Sequence, residues 1–319
     1  MGKAAEEAGI DFLGVAHLQE AIKLRQEGVK IPILVLGAIH EDQINDLIDY
    51  NLEFTISSKF KAELVAEKCQ GRTCKVHLEV DTGMQRTGVR PETARELLPY
   101  LKSLENLEVV GIYSHLATAD KPQDPLAKKQ IEAFQELIDE FKGIPLIRHL
   151  ANSGGTAFFP EAHLDMVRPS LLTFGYRPEP CPEALEEIAP CFSLKAKVSY
   201  FKVVKPGEGI SYGHSFITQK QTRIVTIPVG YGDGYRRSLS NQGSVLIRGK
   251  RFPICGTICM DQFMVDVGDD EVFVGDEVVL IGKQGNEEIS LKEVASLCET
   301  IPYEILCLLN ERIPRIYTI

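Results

Sequence analysis

The chain has 319 residues, 44% of them hydrophobic and 25% charged, and its 35 Lys and Arg against 45 Asp and Glu leave a formal net charge of −10. That is an ordinary globular composition, and with no basic run longer than a pair it excludes nucleic acid as the main ligand, because phosphate backbones need a concentrated basic face. No apolar stretch approaches the roughly 20 residues of a membrane span, and Met1 to Glu7 lack the basic and apolar regions of a secretory signal. A cytoplasmic protein acting on a small molecule is the expectation.

In chain order, residues 2–8 are helix-forming and stop at Gly9. Apolar strands are then expected at 11–16, 32–37, 52–57, 75–80, 107–115, 146–150 and 166–171. Helical stretches fall between them at 18–27, 41–50, 59–69, 91–104 and 125–141, with a short helix starting near Asn152 and Ser153. Seven strands, each but the last followed by a helix, predict a parallel α/β barrel. Such a barrel closes with eight, and the chain opens in what reads as the middle of a helix, so the first βα unit is expected to be missing.

From Pro178 to Pro190 four prolines punctuate an acidic stretch that reads as a linker. Strands at 194–202, 223–228, 244–247, 252–258, 264–267 and 277–281, with one helix at 291–298, then predict a mostly β domain. The expected domains are 1–188 and 189–319. Cysteines 69, 74, 181, 191, 255, 259, 298 and 307 lack the paired knuckles of a zinc site and are read as reduced thiols, with no metal expected.

Polar residues collect where the barrel strands end, the face on which such folds build sites. Asp81 to Gly88 follow one strand, Ser114 and His115 end the next, and Asn152 and Ser153 and then Arg168 to Leu171 follow. Arg86 beside two glycines suits a backbone approach to a ligand; His115 alone reads equally as a core histidine or a catalytic one. Arg168, ending an apolar strand, needs an acceptor. In the second domain Tyr212 lies between glycine-flanked turns. The loop Pro228 to Tyr235 lacks the Lys-Ser/Thr of a phosphate loop and reads as a tight β-connection.

These segments together resemble the alanine racemases, pyridoxal 5′-phosphate (PLP) enzymes of fold type III. The resemblance rests on His77-Leu-Glu-Val-Asp-Thr-Gly-Met-Gln-Arg86-Thr-Gly88, Gly111-Ile-Tyr-Ser-His115-Leu-Ala-Thr-Ala119, Ala151-Asn-Ser153 and Met166-Val-Arg168. Further along are Ile210-Ser-Tyr212-Gly213, Ile227-Pro-Val-Gly-Tyr-Gly-Asp-Gly234, Gly256-Thr-Ile-Cys-Met260-Asp261 and Arg312-Ile-Pro-Arg315. They are collinear with the family pattern from about residue 9 to the C-terminus.

The resemblance implies a PLP-binding (β/α)8 barrel followed by a β domain, interconverting L- and D-alanine to supply D-alanine for peptidoglycan. It implies a head-to-tail homodimer whose active sites take Tyr212 and Met260 from the partner. Tyr212 matches the base for L-alanine, helped by His115, itself against Arg168. Arg168 matches the arginine facing the pyridine nitrogen. Ser153, with the backbone N–H groups of Ser170 and Leu171 and with Asn152 beside them, matches the phosphate cradle, and Arg86 the arginine on the phenolic oxygen. Arg86, Met260 and Asp261 are expected to bind substrate.

Glu79 stands where many members carry a carbamylated lysine, and supplies a carboxylate to hold Arg86. Glu311 stands where some have a tyrosine shaping substrate entry, which leaves room for serine and makes a broader alanine/serine racemase the alternative. The family's Schiff-base segment Lys-Ala-x-Ala-Tyr-Gly-His-Gly does not occur in the 319 residues. Lys3 falls inside the first helix and cannot replace it. The chain alone is therefore expected to be inactive, and a non-catalytic relative is the further alternative; a decarboxylase is disfavoured by Arg168.

Overall fold

The computed structural model describes residues 1–69 and 71–318 and divides into two compact units, Met1–Ile188 and Ala189–Ile319. In the first, helix α1 (Gly2–Glu7) precedes a parallel sheet in sequential order: β1 (Leu13–Val15), β2 (Ile33–Val35), β3 (Glu53–Ile56), β4 (Cys74–Glu79), β5 (Leu107–Tyr113) and β6 (Ile147–His149). The crossovers are α2 (Leu18–Gln26), α3 (Ile44–Asp49), α4 (Lys59–Cys69), α5 (Pro91–Lys102) and α6 (Pro125–Glu140), and α7 (Ser153–Phe158) follows β6. The result is a barrel-like α/β unit.

The helices form where the sequence starts and patterns them. Asp124 caps α6 by accepting from the Leu126 N–H at 2.9 Å, Pro125 fits the first turn, and Ala127, Ile131, Phe134, Leu137 and Ile138 are buried along one stripe. In the sheet, Phe54, Val76 and Leu78 point into the apolar core, whereas Glu53, Thr55, His77 and Glu79 alternate with them on the opposite face. That second face is buried yet polar.

Several expectations need correction. The seventh strand is only an isolated bridge between Met166 and His149. The Arg168 N–H bonds to the Ala151 carbonyl at 2.8 Å, Pro169 has no N–H to extend the ladder, and Leu171–Phe174 turn as a 3₁₀ helix capped by Gly175 at φ 82°. Cys69 and Cys74, read as thiols, form a disulfide with Cα atoms 6.7 Å apart, because the end of α4 and the start of β4 meet at a short connection. The strand expected at 194–202 breaks into β7 (Leu194–Lys197), paired with the strand Glu277–Gln284, and β8 (Tyr200–Val204), paired with the strand Thr222–Ile227.

The second unit is otherwise an antiparallel sheet in the order β16-β15-β12-β13-β14-β11-β8. Its members are β11 (Thr222–Ile227), β12 (Ser244–Ile247), β13 (Lys250–Cys255), β14 (Phe263–Gly268), β15 (Glu277–Gln284) and β16 (Glu287–Ile289). β14 buries Phe263, Val265 and Val267 at a period of two. Strand β13 stops at Cys255, short of residue 258, because Gly256 turns the chain at φ 78°. The hairpin β9 (Gly209–Ile210) and β10 (Phe216–Ile217) and a second helix, α9 (Pro302–Leu308), join the expected α8 (Leu291–Leu297). Among the described residues no helix is long and apolar enough to cross a membrane.

Candidate active site

The parallel register aligns Glu79, Tyr113 and His149 across β4, β5 and β6. The chain after these strands carries Asp81, His115 and Asn152, so residues predicted from separate segments share one rim. Beneath them lies a buried polar chain that begins at Arg168. Its Nη2 donates to the Ser114 carbonyl at 2.7 Å and to the Leu150 carbonyl at 3.2 Å. Its Nη1 lies 2.7 Å from His149 Nδ1, and its guanidinium carbon 5.2 Å from the centre of the Tyr113 ring.

From His149 the chain continues: Nε2 is 2.9 Å from His77 Nδ1, and His77 Nε2 is 2.8 Å from Glu53 Oε2. A guanidinium only donates, so His149 must accept at Nδ1 and carry its proton on Nε2, and His77 in turn accepts at Nδ1 and donates from Nε2 to Glu53. Every N–H along the line therefore points toward the carboxylate. Burial, with Arg168 and His77 beside it, holds the His149 imidazole well below the usual histidine range, consistent with a neutral ring. Burial pulls Arg168 down to about 10, against Tyr113 and Glu79, so it keeps its charge near pH 7.

Local sequence makes room for this line. A Cβ on Gly111 would sit 2.1 Å from His77 Nδ1, so only glycine admits the ring there. Tyr113 stacks on His149 with centroids 4.8 Å apart, and its hydroxyl is 2.8 Å from Thr55 Oγ1. Its pKa is raised above the ordinary phenol value, chiefly by burial and then by Glu79. Sequence reading missed Glu53, Tyr113 and His149 as site residues. His149 ends a strand as His115 does, which was the available signal.

His115 is half-buried, and burial first, then Arg168 and Arg86, pushes its imidazole down to about 4. Its Nε2 is 3.4 Å from Asn152 Nδ2, and the buried Gln130 side chain fixes its backbone, donating to the His115 carbonyl and accepting from the Ala117 N–H, each at 2.9 Å. The ring hydrogen-bonded to Arg168 is His149; between Arg168 and His115 the link is charge. Likewise Glu79 accepts from Thr87 Oγ1 at 2.8 Å and meets Arg86 through charge, and burial raises its pKa. Arg86 itself is exposed on a loop that Asp81 shapes by accepting from the Gly83 and Gln85 N–H groups.

Asn152 caps α7 by accepting from the Gly155 N–H at 3.0 Å. The Ser170 N–H donates to Ser153 Oγ at 2.9 Å, which draws the start of α7 to the Leu171 turn. Gly154 belongs to the same close packing, since a Cβ there would lie 2.5 Å from the Ala119 backbone. Asn152, Ser153, Ser170 and Leu171 are thus brought together as one polar corner.

In the second unit Tyr212 and Met260 are 73% and 53% exposed. The Met260 carbonyl accepts from the Gly232 N–H at 2.8 Å, and Asp261 Oδ1 from Arg312 Nη2 at 2.6 Å. The glycine-rich loop is needed for this backbone approach: a Cβ on Gly230 would fall 2.3 Å from the Cys259 and Met260 carbonyl oxygens. Its residues support the Met260 loop.

Residues 1–178 match the family described as alanine racemase, N-terminal domain, and residues 191–317 the one described as alanine racemase, C-terminal domain. An alanine racemase of Symbiobacterium thermophilum is 43% identical over 320 residues, covering 98% of this chain and 85% of that protein. One of Carboxydothermus hydrogenoformans is 43% identical over 324 residues, covering 99% and 88%. Among solved structures, alanine racemase of Clostridium difficile 630 superimposes with a TM-score of 0.93 at 35% identity, over 99% of this chain and 84% of that one. That of Bacillus anthracis with bound L-Ala-P gives 0.91 at 37% identity, over 99% and 83%.

Proposed function

Because the chain belongs to the alanine racemase family, we propose that, joined to the Lys-Ala-x-Ala-Tyr-Gly-His-Gly segment that these 319 residues lack, it interconverts L- and D-alanine with pyridoxal 5′-phosphate, the cofactor on which that family depends. The observation that carries the reading is Arg168, immobilised at the strand ends by His149 and two carbonyls. A guanidinium that keeps its proton gives a ring nitrogen a hydrogen bond and no charge. The donor set fits the rest of the cofactor: Ser153 with the Ser170 and Leu171 backbone for a phosphate, held by the contact between Ser153 and Ser170, and Arg86 for a phenolic oxygen. When bound, the cofactor supplies an electron sink that acidifies the substrate Cα–H.

On one face of Cα the chain's own residues then move the proton; the base for the opposite face would be the lysine of the Lys-Ala-x-Ala-Tyr-Gly-His-Gly segment. Tyr212 exchanges it with Cα on the L-alanine side, the phenolate oxygen taking it and the phenol returning it in the reverse direction. The free phenol has a pKa of ~10 and needs help. A His115 held neutral serves it as a hydrogen-bond partner, and Arg168 supplies the nearby positive charge. Arg86 and the Met260 N–H bind the substrate carboxylate, with Asp261 beside them.

In this reading two copies complete each other, the partner subunit's Tyr212 and the partner subunit's Met260 meeting these strand ends, which explains their exposure here. The product serves peptidoglycan synthesis in the cytoplasm.

The test uses the chain extended by a relative's Lys-Ala-x-Ala-Tyr-Gly-His-Gly unit, since no such segment stands in the 319 residues. Alanine is racemised with added cofactor, the 319-residue chain is silent, and Tyr212→Phe loses L-to-D turnover while keeping the cofactor's absorbance. Loss of absorbance in that variant would remove Tyr212 from the proton transfer. The second reading, a broader racemase, rests on Glu311, and competition between alanine and serine separates the two.

A further inference from the structure

Tyr212 stands on backbone that its neighbours' side chains disfavour. Ser211 has φ 64° and His214 φ 47° on either side of a glycine, Gly213, that takes φ 72° freely, and Asn241, which reaches this loop, has φ 59°. A non-glycine residue held in such a region costs about 1–3 kcal/mol and persists only where its surroundings over-determine it. Here the determinants are hydrogen bonds from one neighbouring loop. Ser211 Oγ donates to the Thr257 carbonyl at 2.5 Å, and Thr257 Oγ1 donates to the Tyr212 carbonyl at 3.1 Å.

Behind Thr257 the line continues in one direction. Asn241 Oδ1 accepts from the Gly256 N–H at 2.6 Å, which turns Nδ2 toward Ser215, 3.2 Å from its Oγ and 3.3 Å from its carbonyl. Ser215 Oγ is 3.2 Å from Thr257 Oγ1. Thr257 has one proton and spends it on Tyr212, so Ser215 must donate to Thr257 and accept from Asn241. Gly256 closes the junction, since a Cβ there would meet the Ile210 carbonyl at 2.6 Å. Thr257 is buried at 8% exposure, three residues from Met260.

We propose that Thr257, backed by Ser215 and Asn241, is a positioning residue that ties the Tyr212 loop to the Met260 loop and so sets the phenol relative to the substrate-binding backbone. The tie is a property of this unit alone; its catalytic consequence rests on the function proposed above. Two measurements separate them.

The first is amide hydrogen exchange over residues 210–217 in the 319-residue chain without cofactor. Thr257→Val keeps the shape and removes the hydroxyl, and is expected to speed exchange there about tenfold with rates elsewhere unchanged. Thr257→Ser restores the parent rates. Unchanged exchange in Thr257→Val, or equal acceleration in Thr257→Ser, overturns the tie. If Thr257→Val does not fold, Ser215→Ala removes the donor behind Thr257 and is read against the same criteria.

The second is the α-deuterium isotope effect on kcat/KM in the racemising chain. With Tyr212 misplaced its transfer becomes limiting, so the effect rises for L-[2-²H]alanine and falls toward one for D-[2-²H]alanine, with kcat about tenfold lower. A general loss of structure lowers both rates and leaves that asymmetry out. Faster exchange with unmoved isotope effects overturns the catalytic role, and an unaffected Tyr212→Phe would instead overturn the assignment of Tyr212.

Discussion

At the scale of single residues, the site is governed by which groups can donate. Arg168 cannot accept, and that one constraint propagates through His149 and His77 to Glu53 and sets both tautomers. The same burial that protects this line makes the histidines acid-sensitive. The His115 value of about 4 lies below the ~6.5 of an unfolded chain, so between these values the unfolded state binds more protons. The sign follows: this stability is fully present above pH ~6.5 and is lost as the pH falls toward 4, and His149 adds in the same direction. Urea midpoints of the 319-residue chain should fall across that window, and the His115 C2 proton resonance should show a neutral ring at pH 5.5. A titration centred near pH 6.5 would remove His115 from the account.

Such values were beyond the sequence. His115 was readable as a candidate because it ends an apolar strand, but its state depends on Arg168 and Arg86, which lie far from it in the chain. Asn152 and Ser153 were readable for a local reason, since an Asn before a short helix caps it.

At the scale of elements, strands and helices were legible where hydrophobic period and turn chemistry agree, as in β12 and α6. They were not legible where a side chain or a missing N–H intervenes. Residues 166–171 have a strand's composition, but Pro169 and the turn of Leu171–Phe174 end the pairing after one bridge. Residues 194–202 read as continuous, and only the two different partners of β7 and β8 reveal the break.

The face of β4 that carries His77 gives a test at this scale. Gly111→Ala on β5 would place a Cβ 2.1 Å from a ring with no room to move and two hydrogen bonds to lose. Overpacking plus an unsatisfied buried polar group should cost about 2–4 kcal/mol. Urea unfolding measures it, and a loss within ~0.5 kcal/mol would mean that the His77 ring repacks freely.

At the scale of the whole molecule, the exposed Tyr212 and Met260 are the side chains that the proposed dimer would cover. The proposed dimer predicts that sedimentation velocity finds a two-chain species whose fraction rises with protein concentration, and that Tyr212→Glu, which sets a charge in the contact, shifts it toward single chains. A chain that stays single at every concentration would leave the shared site without support.

Legible in the residues alone are the alternation of strand and helix, the change to a β grammar after the prolines, and the rim residues that follow strand ends. Each depends on signals within about ten residues: a period, a cap, a proline or a glycine. The tertiary structure alone decided that His77 bonds to a residue 72 positions away and another 24 away, that Cys69 meets Cys74, and that Thr257 holds Tyr212. A hydrogen bond between distant segments exists only once sheet register and loop packing bring its two atoms within about 3 Å, and no local pattern encodes that distance.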